Sequence, residues 1–207
     1  MLVGIHQLHY LPWLRYFEKI ACSDVFIVLD NIQYNKNGWQ NRNKVKTAAG
    51  ATLLTTPVRF SAGDRLDQVR IDSSKPWARK HWETIRQAYA KAPHFADHAA
   101  FIEGVYAQSW VFLNDLNRTM LAYFIEALGI ETRVVYASEL DVPGVATERL
   151  IHLIQAVGGD RYYTGAFATD AYLDVKLLDA AGIEVVVQDW CAPVLSLIHI
   201  SEPTRPY

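Results

Sequence analysis

A histidine and a glutamine, His6-Gln7, close the first apolar run of the chain, and an aspartate, Asp30, closes the second. Ligands of open α/β sheets bind beyond the carboxyl ends of the strands, so these are the first residues to ask for chemistry. An imidazole oriented by a carboxylate is an acid/base device near neutral pH, because the carboxylate fixes the ring and stabilises its protonated form. His6 and Asp30 are therefore the candidate catalytic pair and Gln7 a candidate substrate contact. The competing reading has His6 cap the following helix or bond a loop carbonyl. A second pattern runs from Asn35 to Lys46, NKNGWQNRNKVK, which carries four basic residues and no acid in a chain of formal net charge -2. If Trp39 to Lys46 is extended, Arg42, Lys44 and Lys46 point to one face and Trp39, Asn41, Asn43 and Val45 to the other. Such a ladder suits a phosphate, diphosphate or carboxylate, which Arg42 can hold bidentately. The alternative is a solvated edge that blocks strand pairing. Trp39, Asn41, Arg42 and Lys44 are the substrate-binding candidates of this stretch, with Gln33 from the end of the second apolar run.

Weaker signals complete the set. Tyr10, just before Pro12, is placed to line a pocket. His81 sits at the border of a helix face, and Thr164-Gly165 ends a strand where backbone amides can meet an anion. His6 and His9 are three apart, but no further ligand is suitably spaced nearby, so no metal is expected. Walker, GxGxxG and GxSxG elements do not occur, and the residues name no cofactor.

The elements that must position these groups read as alternating strands and helices. Leu2 to Ile5, Val25 to Leu29, Thr52 to Thr56, Thr132 to Tyr136 and Ile183 to Gln188 are apolar runs. Helical patterns lie near Leu11 to Ala21, Pro76 to Lys91, Phe101 to Trp110, Asp115 to Leu128 and Glu148 to Val157. Unbroken apolar runs are the mark of buried parallel strands, and their alternation with helices predicts an open, mostly parallel, doubly wound α/β sheet of Rossmann or HUP type. Gly129 and Gly182 each follow a helix and precede a strand, as left-handed caps do. In the second long helix, Ala78, Trp82, Ile85 and Tyr89 share one face after Pro76, which favours the first turn. Asn117 falls on the stripe of Leu121, Phe124 and Leu128. A buried amide there must be bonded, either by tying down a neighbouring loop or by touching a ligand. Asp170 and Asp174 suit the first turn of a helix.

With 207 residues, 51% hydrophobic and 20% charged, the chain fits one well-covered domain, expected over residues 1–194. The near-neutral charge gives no general drive toward nucleic acid, so an anion site must be local. Neither a signal peptide nor a run long enough to span a membrane is visible, and two cysteines without metal spacing fit a reducing compartment, so a cytoplasmic protein is expected. Residues 195–207, LSLIHISEPTRPY, follow neither period and carry two prolines in the last five positions. The peptide from Leu195 to Arg205 can be encoded by a widely used transposase library adapter read in frame. We expect an adapter-derived tail there and a native domain truncated at its C-terminus.

Taken together, IHQLHYLPWLRYFEKIACSDVFIVLDNIQYNKNGWQNRNKVK, SSKPWARKHWETI, the ASEL at Ala137 to Leu140, and YYTG with YLD resemble the WbqC-like family from Met1 to Val194. Members usually read HQPNYLPW where this chain has HQLHYLPW, so Leu8 and His9 depart while His6, Gln7, Tyr10 and Trp13 match. The resemblance implies a bacterial protein, of a kind often encoded among genes for O-antigen and other surface polysaccharides. It implies an activity in that assembly: a transferase taking an activated sugar, acyl or aminoacyl donor, with His6 as base, Asp30 as its partner and Arg42 with Lys44 holding phosphate. The substrate would be a small or carrier-bound anion. The first segment is also similar in layout to nucleotidylyltransferases of the HIGH type, which leaves a nucleotide-binding role open, although the second histidine and the glycine of that motif are missing. A third reading is a scaffold subunit presenting Trp77, Trp82 and Trp110 as an exposed aromatic patch.

Overall fold

A computed structural model describes residues 1–166 and 173–191. The tail expected at 195–207 and the helix start read at Asp170 lie outside the described residues. In chain order the elements are β1 (Leu2–Gln7), α1 (Leu14–Ala21), β2 (Val25–Leu29), β3 (Arg42–Thr47), β4 (Gly50–Thr55), β5 (Val58–Arg59), β6 (Arg70–Ile71), α2 (Trp77–Tyr89), α3 (Phe95–Ala107), α4 (Leu113–Ala127), β7 (Arg133–Tyr136), α5 (Ala137–Leu140), α6 (Ala146–Ala156), β8 (Arg161–Gly165), α7 (Val175–Ala180) and β9 (Glu184–Gln188). Contacts divide them into two compact units. The first is Met1–Leu8, Pro12–Ile32 and Ala122–Cys191; the second is His9–Leu11 with Gln33–Leu121.

The first unit is built on a parallel five-stranded sheet, β7-β2-β1-β8-β9. Successive side chains of a strand point to opposite faces, and the unbroken runs need both faces covered. Val3, Ile5, Val25, Ile27, Val135 and Tyr162 pack with Leu150, Leu153, Ile154, Leu178 and Ile183 on one face. On the other, Tyr16 of α1 meets Phe26 of β2 edge-on at 5.5 Å, and Phe17 meets Phe124 at 6.1 Å. The expected α/β architecture is thus present, with helices on both sides of the sheet. Gly129 and Gly182 have φ of 63° and 73°, the left-handed region that strains any residue with a Cβ, and each ends its helix as expected. Asp174 caps α7, accepting from the amides of Lys176 and Leu177 at 3.1 and 3.2 Å.

The second unit pairs β3 with β4 in an antiparallel hairpin and β5 with β6 in a shorter one, packed with α2, α3 and the first part of α4. The run at 52–56, read as one more strand of the parallel sheet, belongs to this hairpin instead. Apolar content marks burial but carries no partner, and the short turn after Thr47 makes β3 the nearest one. Pro76 is the residue before α2 rather than part of its first turn, and the buried face of α2 centres on His81 and Ile85, with Trp82 and Tyr89 half-buried. The third long helix starts earlier than its apolar pattern, at Phe95. Among the described residues no helix is long and apolar enough to cross a membrane.

Candidate functional site

Counting only the strands of the parallel sheet along the chain, their order is 3-2-1-4-5, so the winding reverses between β1 and β8. At such a reversal the flanking loops leave in opposite directions, and the carboxyl ends of the two strands border a crevice. β1 ends there in His6-Gln7 and β8 in Thr164-Gly165. β9 ends beside them in Gln188, whose register partner is Gly165. The ring of His6 is half-buried, edge-on to Tyr16 at 4.8 Å and to Trp13 at 6.1 Å. Its Nδ1 lies 3.2 Å from the Gln7 carbonyl, which also accepts the Tyr16 hydroxyl at 3.1 Å. A carbonyl can only accept, so Nδ1 carries the proton and the Nε2 lone pair is the basic one. The Gln7 side chain is exposed, and Thr164 is buried.

Asp30, 1% exposed, lies at the end of β2 and accepts from the Ser138 amide at 3.0 Å and the Ser138 hydroxyl at 2.7 Å. It thereby holds the start of α5 to the sheet edge. Next to it, Arg149 of α6 donates to the Asn31 side chain at 2.6 Å. Charge-assisted bonds in a buried setting are the strong ones. Asp30→Ala is expected to cost about 3 kcal/mol of unfolding free energy and Ser138→Ala about 1, since the second keeps the amide bond. Denaturant midpoints equal to that of the parent in both variants would remove the assignment.

Two residues of this edge escaped the sequence reading. Arg15, in the first turn of α1, donates through Nε to the Gln188 side-chain oxygen at 3.0 Å, and Gln188 returns a bond from Nε2 to the Arg15 carbonyl at 3.0 Å. Gln188 also donates to Glu18, whose carboxylate takes the Tyr163 hydroxyl at 2.8 Å and the Cys22 thiol at 3.3 Å. Beside that carboxylate, burial first and then Glu18 push Tyr163 well above the ordinary phenol range. Applying the strand-end rule to EVVVQ would have found Gln188.

The remaining candidates lie in the second unit. Tyr10 and His81, 71 positions apart, meet: the Tyr10 hydroxyl is 2.8 Å from His81 Nδ1 and bonded to the Tyr106 hydroxyl. With the His81 proton on Nε2, Nδ1 accepts from Tyr10 and Tyr106 donates to Tyr10. All three are buried and form an internal network, with Tyr106 also bordering the pocket beside Trp77. Burial pulls His81 down to about 4 and raises Tyr10 and Tyr106. β3 alternates as expected from Arg42 to Lys46: Arg42 is half-buried and Lys44 and Lys46 are exposed, with Asn43 buried between them. Trp39 precedes the strand and is itself exposed, so it does not share the covered face of Asn43. Arg42 donates to the Asn37 side chain and carbonyl, and Asn41 pins the hairpin base to the Thr56 carbonyl at 2.8 Å. Gln33 forms an isolated bridge with Arg65. Asn117 donates to the Gln40 carbonyl at 2.8 Å, the loop-tying role.

The tryptophans of the scaffold reading do not form an exposed patch. Trp110 is buried with its indole bonded to the Val105 carbonyl at 2.8 Å, Trp82 stacks on Phe95, and Trp77 meets His81 and Tyr106 edge-on. Trp77 and Trp110 line a pocket of about 200 Å3.

These features define an α/β protein with polar groups gathered at the carboxyl edge of a parallel sheet. The chain belongs to the WbqC-like protein family, which it matches over residues 7–195. It is 34% identical over 191 residues, 91% of this chain and 82% of the other, to the uncharacterized protein Rv1507c of Mycobacterium tuberculosis (strain ATCC 25618 / H37Rv). No solved structure matches.

Proposed function

We propose that the protein is a cytoplasmic transferase of bacterial surface-polysaccharide assembly, moving a sugar or acyl group from an activated anionic donor to a hydroxyl or amine. The observation that most supports this reading is the reversal of strand order between β1 and β8, whose ends carry His6-Gln7 and Thr164-Gly165. Family membership supports the pathway, through the company its members keep. In the reaction, His6 Nε2 takes the acceptor proton as the acceptor oxygen or nitrogen bonds to the donor carbon, and the phosphate or thiolate leaves with the electron pair of the broken bond. Gln7 and the Gly165 backbone orient the donor. Asp30 acts through Ser138 by keeping this edge in place. Arg42 and Lys44 give the second unit its own cationic strip, whose charge suits a phosphate or carboxylate.

Turnover of nucleotide sugars, coenzyme A thioesters and carrier-protein thioesters tests the reading. With the donor that reacts, His6→Ala is expected to lower kcat by about 100-fold or more at unchanged fold stability. Equal turnover by parent and variant would remove His6 as base.

A further inference from the structure

Arg15 is a cation held in place by its neighbours. Its Nε is fixed by Gln188, a side chain only 5% exposed that uses both ends of its amide on Arg15 and a third bond on Glu18. A guanidinium has five N–H donors in a rigid fork, so fixing Nε sets the plane and leaves the Nη1/Nη2 pair to bind end-on. Among the described residues, neither Nη has a hydrogen-bond partner and Arg15 has no ion pair. The adjacent acid Glu18 is committed to Tyr163, Cys22 and Gln188. Lys19, one turn along α1, adds a like charge. Its buried amine is drawn down to about 8, by burial first and by Arg15 next, against the opposing charge of Glu18. Gly165 keeps the approach open: a Cβ there would stand 3.3 Å from Arg15 Nη2. A merely solvated arginine needs neither a buried amide to aim it nor a glycine beside it.

We propose that Arg15, aimed by Gln188 and cleared by Gly165, grips an oxyanion of the substrate, phosphate or carboxylate, end-on at the carboxyl edge of the sheet. The inference rests on the sheet-edge site of the proposed function, but not on His6 being its base. Gln188 is a positioning residue that acts through the guanidinium.

Calorimetric titration of the full chain with inorganic pyrophosphate, and separately with acetate, tests it. Wild type is expected to bind at least one of the two, and which one binds tells phosphate from carboxylate. Arg15→Ala is expected to weaken binding 30-fold or more. Arg15→Lys, which keeps the charge and loses the fork, should weaken it about 10-fold. Gln188→Met and Gly165→Ala, which leave the arginine in place, should each weaken it about 5-fold, and His6→Ala less than 3-fold. Binding by Arg15→Ala equal to that of the wild type, or no binding of either anion by the wild type, overturns the proposal. If Arg15→Ala does not fold, the Arg15→Lys and Gly165→Ala titrations decide, and wild-type affinity in both overturns it. Loss of binding in the Arg15 variants together with full turnover in His6→Ala would sink the catalytic reading and leave the anion grip standing.

Discussion

Between pH 7 and pH 5 the protein is expected to lose about 4 kcal/mol of stability, about 2 for each of two buried histidines. His9 and His81 are 5% and 4% exposed, and burial pulls both down to about 4 from the ordinary 6.5. For His81 the Thr55 backbone bond opposes the shift and the Lys80 charge adds to it. In the folded chain both rings stay neutral until the pH approaches 4, whereas the unfolded chain takes up protons from about 6.5 downward. Their contribution is therefore whole above 6.5 and is lost as the pH falls toward 4. Urea unfolding at pH 7 and pH 5 measures it, and His81→Gln, which can still bond Tyr10, should remove about half of the difference. A free energy that changes by less than 1 kcal/mol between the two pH values in the parent would contradict the burial argument.

Asn43→Leu should cost about 4 kcal/mol, more than a typical surface change on a strand. The Asn43 amide donates to the carbonyls of Tyr10 at 3.2 Å and Leu11 at 2.7 Å, while its oxygen accepts the Lys44 amide at 2.8 Å. Leucine has similar volume but leaves these backbone groups unpaired in a site 8% exposed. The same bonds steady Leu11 at a φ of 45°, a left-handed conformation that costs a non-glycine residue about 1 to 2 kcal/mol. Asn43→Asp should be at least as damaging, because a carboxylate would face two carbonyl oxygens. Thermal and urea unfolding decide this, and a loss below 1 kcal/mol in both variants would show that the segment is held by other means.

The resemblance to a WbqC-like protein, the parallel sheet with its flanking helices and the strand ends at His6, Asp30 and Gly165 were legible in the residues, because period, apolar runs and glycine caps are local. Alternation within β3 was legible for the same reason. Partners were not. Asp30 reads as the neighbour of His6 because β1 and β2 lie side by side, but its bonds to Ser138, 108 positions away, could not be read from any local pattern. Tyr10 and His81 were each picked out, but their bond to one another and to Tyr106 needs helices whose relative placement no local pattern encodes.

What the sequence by itself determined, then, is which segments become strands and helices and which residue types close them, since these follow from side-chain periodicity and backbone sterics. The tertiary structure alone decided that the run at 52–56 pairs in a hairpin, that strand order reverses between β1 and β8, and that Gln188 aims Arg15 across 173 residues. Hydrogen bonds between distant segments depend on how apolar faces pack, and packing is settled by the whole chain at once.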